Sequence, residues 1–148
     1  MNVLSLSDFS IDEINEILNS AEEFSNGKKV DYKGGKVVAN LFFEPSTRTH
    51  YSFEKAELNL NCKTMNFDEK NSSTRKGETL YDTVKTFESF GIDAVVIRHV
   101  ENEYYNQLVG KIKIPILNAG DGTGNHPSQS LLDLLTIKRE FGKFEGLK

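Results

Sequence analysis

The chain has 148 residues, 37% of them apolar and 27% charged, and a formal net charge of −4. That length suits a single domain with a sizeable core. The acidic balance argues against a general nucleic-acid surface, and the lone Cys62 excludes an internal disulfide framework and a multi-cysteine zinc site. The first eight residues carry no basic run and no long apolar stretch, so they do not read as a secretory signal. No segment approaches the roughly 18 apolar residues of a membrane span, and the expected location is a reducing cytoplasm.

In chain order, Ser10 or Asp12 caps a helix to about residue 25, with Ile14, Ile17, Leu18, Ala21 and Phe24 on one face at helical spacing. Asn26-Gly27 ends it, and Gly34-Gly35 makes a turn. Residues 36–43, K-V-V-A-N-L-F-F, are nearly all apolar after the lysine, as a strand buried on both faces requires. A second helix is expected over 48–60, with Phe53, Ala56, Glu57 and Leu60 spaced around it. A short strand follows over 63–67, then a polar, irregular stretch over 68–76. Residues 77–90 read as a helix with Leu80, Val84, Phe87 and Phe90 inward, stopped by Gly91. Residues 93–98 form a third strand, 104–109 a weak helix and 114–118 a short fourth strand. A glycine-rich loop over 120–127 leads to an amphipathic helix over 128–141. Strands alternating with helices predict an α/β fold, a three-layer sandwich of a roughly four-stranded parallel sheet flanked by helices.

In such sheets ligands sit beyond the carboxyl ends of the strands, where three polar clusters fall. After the first strand come Ser46, Thr47, Arg48 and Thr49. They read either as a helix cap with a solvated arginine or as an anion site, in which free helix N–H groups, hydroxyls and a guanidinium meet a phosphate. The pattern is neither a P-loop nor a dinucleotide-binding Gly-x-Gly-x-x-Gly. Arg98 ends the third strand, either as a rim ion-pair partner or as a second guanidinium for a dianion. In the third cluster, Gly120, Gly122 and Gly124 permit close backbone approach. Pro127 opens the last helix, and the cluster reads either as a glycine-rich turn with a helix cap or as a site in which His126 donates to a developing oxyanion and Gln129 holds an amide. The stretch N-S-S-T-R-K-G-E at 71–78 reads by itself as a charged surface loop. His50 reads as helix surface, Tyr104-Tyr105 as packing and Cys62 as a small buried side chain. No His, Cys and carboxylate spacing suggests a metal site.

Taken together, the clusters resemble a known family. F-F-E-P-S-T-R-T at 42–49 fits the carbamoyltransferase signature Phe-x-Glu-x-Ser-Thr-Arg-Thr. S-S-T-R-K-G-E-T, V-I-R-H and G-D-G-T-G-N-H-P-S-Q-S-L-L-D-L-L-T follow in the family's order across essentially the whole chain. His-Pro-Ser-Gln is similar to the aspartate branch more than to the ornithine branch, which typically has His-Pro-Cys-Gln. An ornithine-specific domain and a non-catalytic binding or trimerisation module are the alternatives.

The resemblance implies transfer of a carbamoyl group from carbamoyl phosphate to L-aspartate, an early step of pyrimidine synthesis, with no cofactor or metal. It implies that Ser46, Thr47, Arg48 and Thr49 hold the phosphate. Arg98 would bind phosphate and the carbonyl oxygen, His126 would donate to that oxygen, and Gln129 would hold the carbamoyl amino group. Ser72 and Lys76 would reach a neighbouring subunit's site in a homotrimer, to which a regulatory chain could bind. The chain departs from the family at His50, where many relatives carry Arg or Lys, and at Asn61, where Gly is common. The resemblance also implies that residues 1–148 are the carbamoyl-phosphate domain alone. A second, aspartate-binding domain would follow, and Glu44, deprived of partners there, is expected to be solvated and free.

Overall fold

The computed structural model describes residues 1–32, 35–67 and 77–147. Among the described residues, four helices and four strands follow in the order α1 (Ile11–Ser25), β1 (Val37–Phe42), α2 (Arg48–Asn59), β2 (Lys63–Asn66), α3 (Leu80–Ser89), β3 (Ala94–His99), β4 (Ile116–Asp121) and α4 (Pro127–Phe141). Short 3-10 turns at Leu6–Asp8 and Tyr104–Gln107 complete the order. All pairings in the sheet are parallel, in the order β2-β1-β3-β4. This is the α/β sandwich expected from the alternation.

The apolar run of β1 is buried on two faces because side chains alternate across a strand. Ala39 and Leu41 face one core with Val95, Ile97 and Ile116, closed by Leu80 and Val84 of α3 and by Tyr104, Tyr105 and Leu108. Phe42 faces the other core with Val96 and Ala119, against Val38, Leu117 and Phe53 of α2. Each fully buried Leu, Val or Ile contributes about 1.5–3 kcal/mol of transfer free energy. The chain leaves β1 towards β2 through α2 and returns past β1 to β3 through α3. With right-handed crossovers, the two helices fall on opposite faces. The strand order therefore reverses between β1 and β3, and a crevice opens at their carboxyl ends.

Three elements differ from expectation. Helix α3 begins at Leu80 rather than Gly77, because Thr79 and Asp82 form a reciprocal capping box. Strand β4 lies further along, at Ile116–Asp121 rather than 114–118. Pro115 has no N–H for the ladder, and its carbonyl only accepts from Val95 N at 2.9 Å. Downstream, Gly120 and Asp121 extend alongside β3, where His99 pairs with Asp121. Finally, Val3 bridges Leu117 in parallel, so the N-terminal residues cover the β4 edge. At the helix ends, Asn61 adopts φ 57°, in the left-handed region.

Candidate functional site

A cavity of about 1070 Å³ opens at the switch point between β1 and β3. It is lined by Pro45, Ser46, Thr47, Arg48, Thr49, Ser52, Phe53 and Ala56 from the β1–α2 side, by Arg98 from β3, and by His126, Ser128, Gln129 and Leu132 from α4. Residues 46–49, Arg98, His126 and Gln129, distant in sequence, thus share one cleft. Ser72 and Lys76 lie outside the described residues.

Helices α2 and α4 both point their N-termini into this cleft. Thr47 occupies the N-cap position of α2, but its backbone is already helical (φ −81°, ψ −56°) and its side chain makes no capping bond. His126 at the N-cap of α4 makes none either, and Pro127 takes the first turn. Neither helix has an acidic residue in its first turn. The leading N–H groups of α2 and the Ser128 N–H of α4 therefore keep donor capacity and positive dipole for a ligand, while Pro127 has no N–H and Gln129 N donates to His126 O at 3.0 Å. Of the two alternatives from the sequence, the cap is not made: the Thr47 hydroxyl stands at the cap position without capping. Arg48 is exposed, and its side chain has no hydrogen-bond or ion-pair partner among the described residues.

Arg98 is held differently. Its Nε donates to Glu44 Oε1 at 2.5 Å and its Nη1 to the Ala119 carbonyl at 3.4 Å. The expectation that Glu44 is solvated and free is therefore wrong. The carboxylate is 24% exposed and pairs with Arg98, which is 23% exposed. The register that sets Phe42 beside Arg98 brings Glu44, two residues on, to the same guanidinium.

His126 Nε2 lies 3.4 Å from Thr49 Oγ1, and its Nδ1 lies 3.3 Å from Ser128 Oγ. Burial lowers the imidazole pKa below its ordinary value, and the Arg98 guanidinium adds to this against the opposing charges of Asp121 and Asp133. The ring is thus neutral at neutral pH, with one nitrogen available as a donor. Gln129 Nε2 donates to Asp133 Oδ1 at 2.9 Å.

The glycine-rich segment has a mechanical logic. Gly120 sits at φ +120°, and a Cβ there would come within 3.1 Å of Arg98 Nη1 and 3.4 Å of His126 Cδ2. Glycine is the residue that lets strand β4 pass between those two side chains. Asp121, which is 1% exposed, accepts from the Glu103 backbone at 2.9 Å and from the Asn125 backbone, tying the loop before His126 to the sheet. Asn118 donates to Leu4 O at 2.9 Å and accepts from Gly120 N at 3.0 Å. The sequence marked Gly120 as flexible but gave Asp121 and Asn118 no role. A carboxylate and an amide between glycines and apolar residues, at the end of a short strand, was the available signal.

His50 is no plain surface residue. It stacks on Phe42 at 4.5 Å between ring centroids, and its Nε2 lies 3.0 Å from Asn66 Oδ1, linking α2 to β1 and β2. Tyr104 and Tyr105 pack in the core as expected, and the Tyr104 hydroxyl donates to Ile97 O at 2.8 Å. Among the described residues, no helix is long and apolar enough to cross a membrane.

A family model described as the carbamoyl-P binding domain of aspartate/ornithine carbamoyltransferase matches residues 1–139. The chain belongs to this family. Its structure is similar to aspartate transcarbamoylase from Trypanosoma cruzi solved with aspartate and phosphate, at 38% identity and a TM-score of 0.86, covering 96% of this chain and 47% of that one. The same enzyme solved with carbamoyl phosphate and aspartate matches at 38% identity and a TM-score of 0.86, over 96% and 48% of the two chains. The catalytic subunit of aspartate transcarbamoylase from M. Jannaschii matches at 37% identity and a TM-score of 0.86, over 99% and 49%. The chain spans about half the length of the solved chains it matches.

Proposed function

We propose that this domain binds carbamoyl phosphate in the cleft between α2 and α4. In the complete protein it would pass the carbamoyl group to L-aspartate, giving N-carbamoyl-L-aspartate and phosphate. The observation that carries the reading is the convergence of two uncapped helix N-termini and two arginines, Arg48 and Arg98, on one cavity. The phosphate lies against Ser46, Thr47, Arg48 and Thr49, where N–H groups, hydroxyls and a planar guanidinium all donate. The carbonyl oxygen lies towards Thr49, Arg98 and His126, and the carbamoyl amino group towards Gln129.

In the reaction, the amine of aspartate attacks the carbonyl carbon and negative charge builds on the carbonyl oxygen. The C–N bond forms, the C–O bond to phosphate breaks, and the amine proton leaves with the phosphate. Thr49, Arg98 and neutral His126 are donors fixed before that charge appears, and each such donor is typically worth about 3–4 kcal/mol in the transition state. Holding both substrates in register supplies a further entropic advantage. Glu44 holds Arg98 through Nε and the Ala119 carbonyl takes one Nη1 hydrogen, which leaves the remaining guanidinium donors for the ligand.

In the complete protein L-aspartate would be held outside residues 1–148, and the working assembly would be a homotrimer in which Ser72 and Lys76 complete a neighbour's site. A regulatory chain would be a further partner of that assembly. Calorimetric titration of the 148-residue chain tests the binding half. Phosphate and phosphonoacetamide, a stable carbamoyl phosphate analogue, are expected to bind. Arg48→Ala should weaken both by about 10–100-fold, the loss of a charged hydrogen bond worth about 1.5–3 kcal/mol. Wild type that binds neither at millimolar concentration overturns the reading.

A further inference from the structure

We propose that Asp133 is a positioning residue that makes Gln129 an acceptor and thereby selects a ligand with an amide-type N–H over an isosteric methyl group. The inference rests on the carbamoyl-phosphate reading above. Gln129 lines the cavity, whereas Asp133, one helical turn further along α4, does not. An ionised carboxylate only accepts hydrogen bonds, and Asp133 Oδ1 takes the Gln129 Nε2 donor at 2.9 Å. The two ends of a glutamine amide are nearly identical in shape, and an unpartnered amide presents either one by rotation about its last torsion. With Nε2 engaged by Asp133, the end left for the cleft is Oε1, which only accepts. A carbamoyl –NH2 satisfies it, and a methyl group does not.

A Gln and Asp four residues apart on a helix also form an ordinary stabilising pair. A purely structural pair would change stability without changing which ligand is preferred. The test is therefore a ratio. Calorimetric titration compares phosphonoacetamide with phosphonoacetone, which replaces the amide –NH2 by –CH3, and uses inorganic phosphate as the control. Wild type is expected to prefer the amide by about tenfold, and Asp133→Ala by less than about threefold, with phosphate affinity unchanged. Asp133→Asn should fall between them, because its own amide can pair with either end of Gln129. Circular dichroism confirms that the variants fold. An unchanged ratio in Asp133→Ala, an equal loss for all three ligands, or no amide preference in wild type overturns the proposal. Wild type that binds none of the three overturns the carbamoyl-phosphate reading itself.

Discussion

The four helices fall into two pairs that begin in opposite ways. In α1, Ser10 accepts from Glu13 N and Glu13 accepts from Ser10 N; in α3, Thr79 and Asp82 do the same. Both helices carry acids in the first turn, so their donors and dipoles are satisfied internally. Helices α2 and α4 have no capping side chain and no first-turn acid, and both open on the same cavity. A capping box typically contributes about 1 kcal/mol. Two helices forgo it where an anion can take its place. The fold is stabilised at one pair of helix starts and receptive at the other.

The contrast is broken most strongly by placing a carboxylate at an open start. Thr47→Asp is expected to cut phosphate affinity by more than tenfold, because the new charge takes over the N–H groups and dipole of α2 and repels the ligand. The same change should stabilise the domain by about 0.3–1 kcal/mol. Titration and urea unfolding read the two effects, and a variant that loses stability along with affinity defeats this account.

The reverse experiment removes a closed start. Ser10→Ala or Thr79→Ala should each cost about 1 kcal/mol of stability and leave phosphate affinity within twofold of wild type. A loss of binding would mean that the two pairs of helices are not functionally separate.

The smallest effect concerns the body of α2 rather than its start. Glu57 is 5% exposed and receives Asn40 Nδ2 at 3.1 Å. Its Oε1, Asn40 Oδ1 and Thr64 Oγ1 are buried without partners. Burial raises the Glu57 pKa, an effect that outweighs the Asn40 hydrogen bond, the lowering influence of the Thr64 hydroxyl and the charge of His50; Glu54 adds to the rise. The folded state therefore holds this proton to higher pH than the unfolded chain does. Below the unfolded value the two states match, and stability declines as pH rises through the folded value. Glu57→Gln should be about 1 kcal/mol more stable than wild type at pH 8 and equal to it at pH 4, with phosphate binding unaffected. Equal stabilities at both values would show that Glu57 ionises freely in the fold.

Much of the site was legible because its parts are local. Ser46, Thr47, Arg48 and Thr49 are adjacent, as are His126, Pro127 and Gln129 within four residues, and each group lies at a strand-to-helix junction that hydrophobic periodicity reveals. The pairing of Glu44 with Arg98 spans 54 residues. It depends on β1 lying beside β3 in one particular register, so Glu44 read as free when its sequence neighbours were considered alone. The extension of β4 was hidden for a related reason: Ala119, Gly120 and Asp121 have weak strand propensity, and their place in the sheet comes from pairing with β3 and from the buried bonds of Asp121.

By itself, the sequence determined the order of the elements, the faces they bury apart from Phe90, which is 63% exposed, and the helix ends at Asn61 and Gly91. These follow from interactions between residues a few positions apart, which the chain carries wherever it folds. Only the tertiary structure decided that Arg98 pairs with Glu44, that Gly120 leaves room between Arg98 and His126, that Asp121 anchors the loop before His126, and that Val3 covers the β4 edge. Each of these joins segments distant in the chain, and their meeting is fixed by strand order and register, which no local preference specifies.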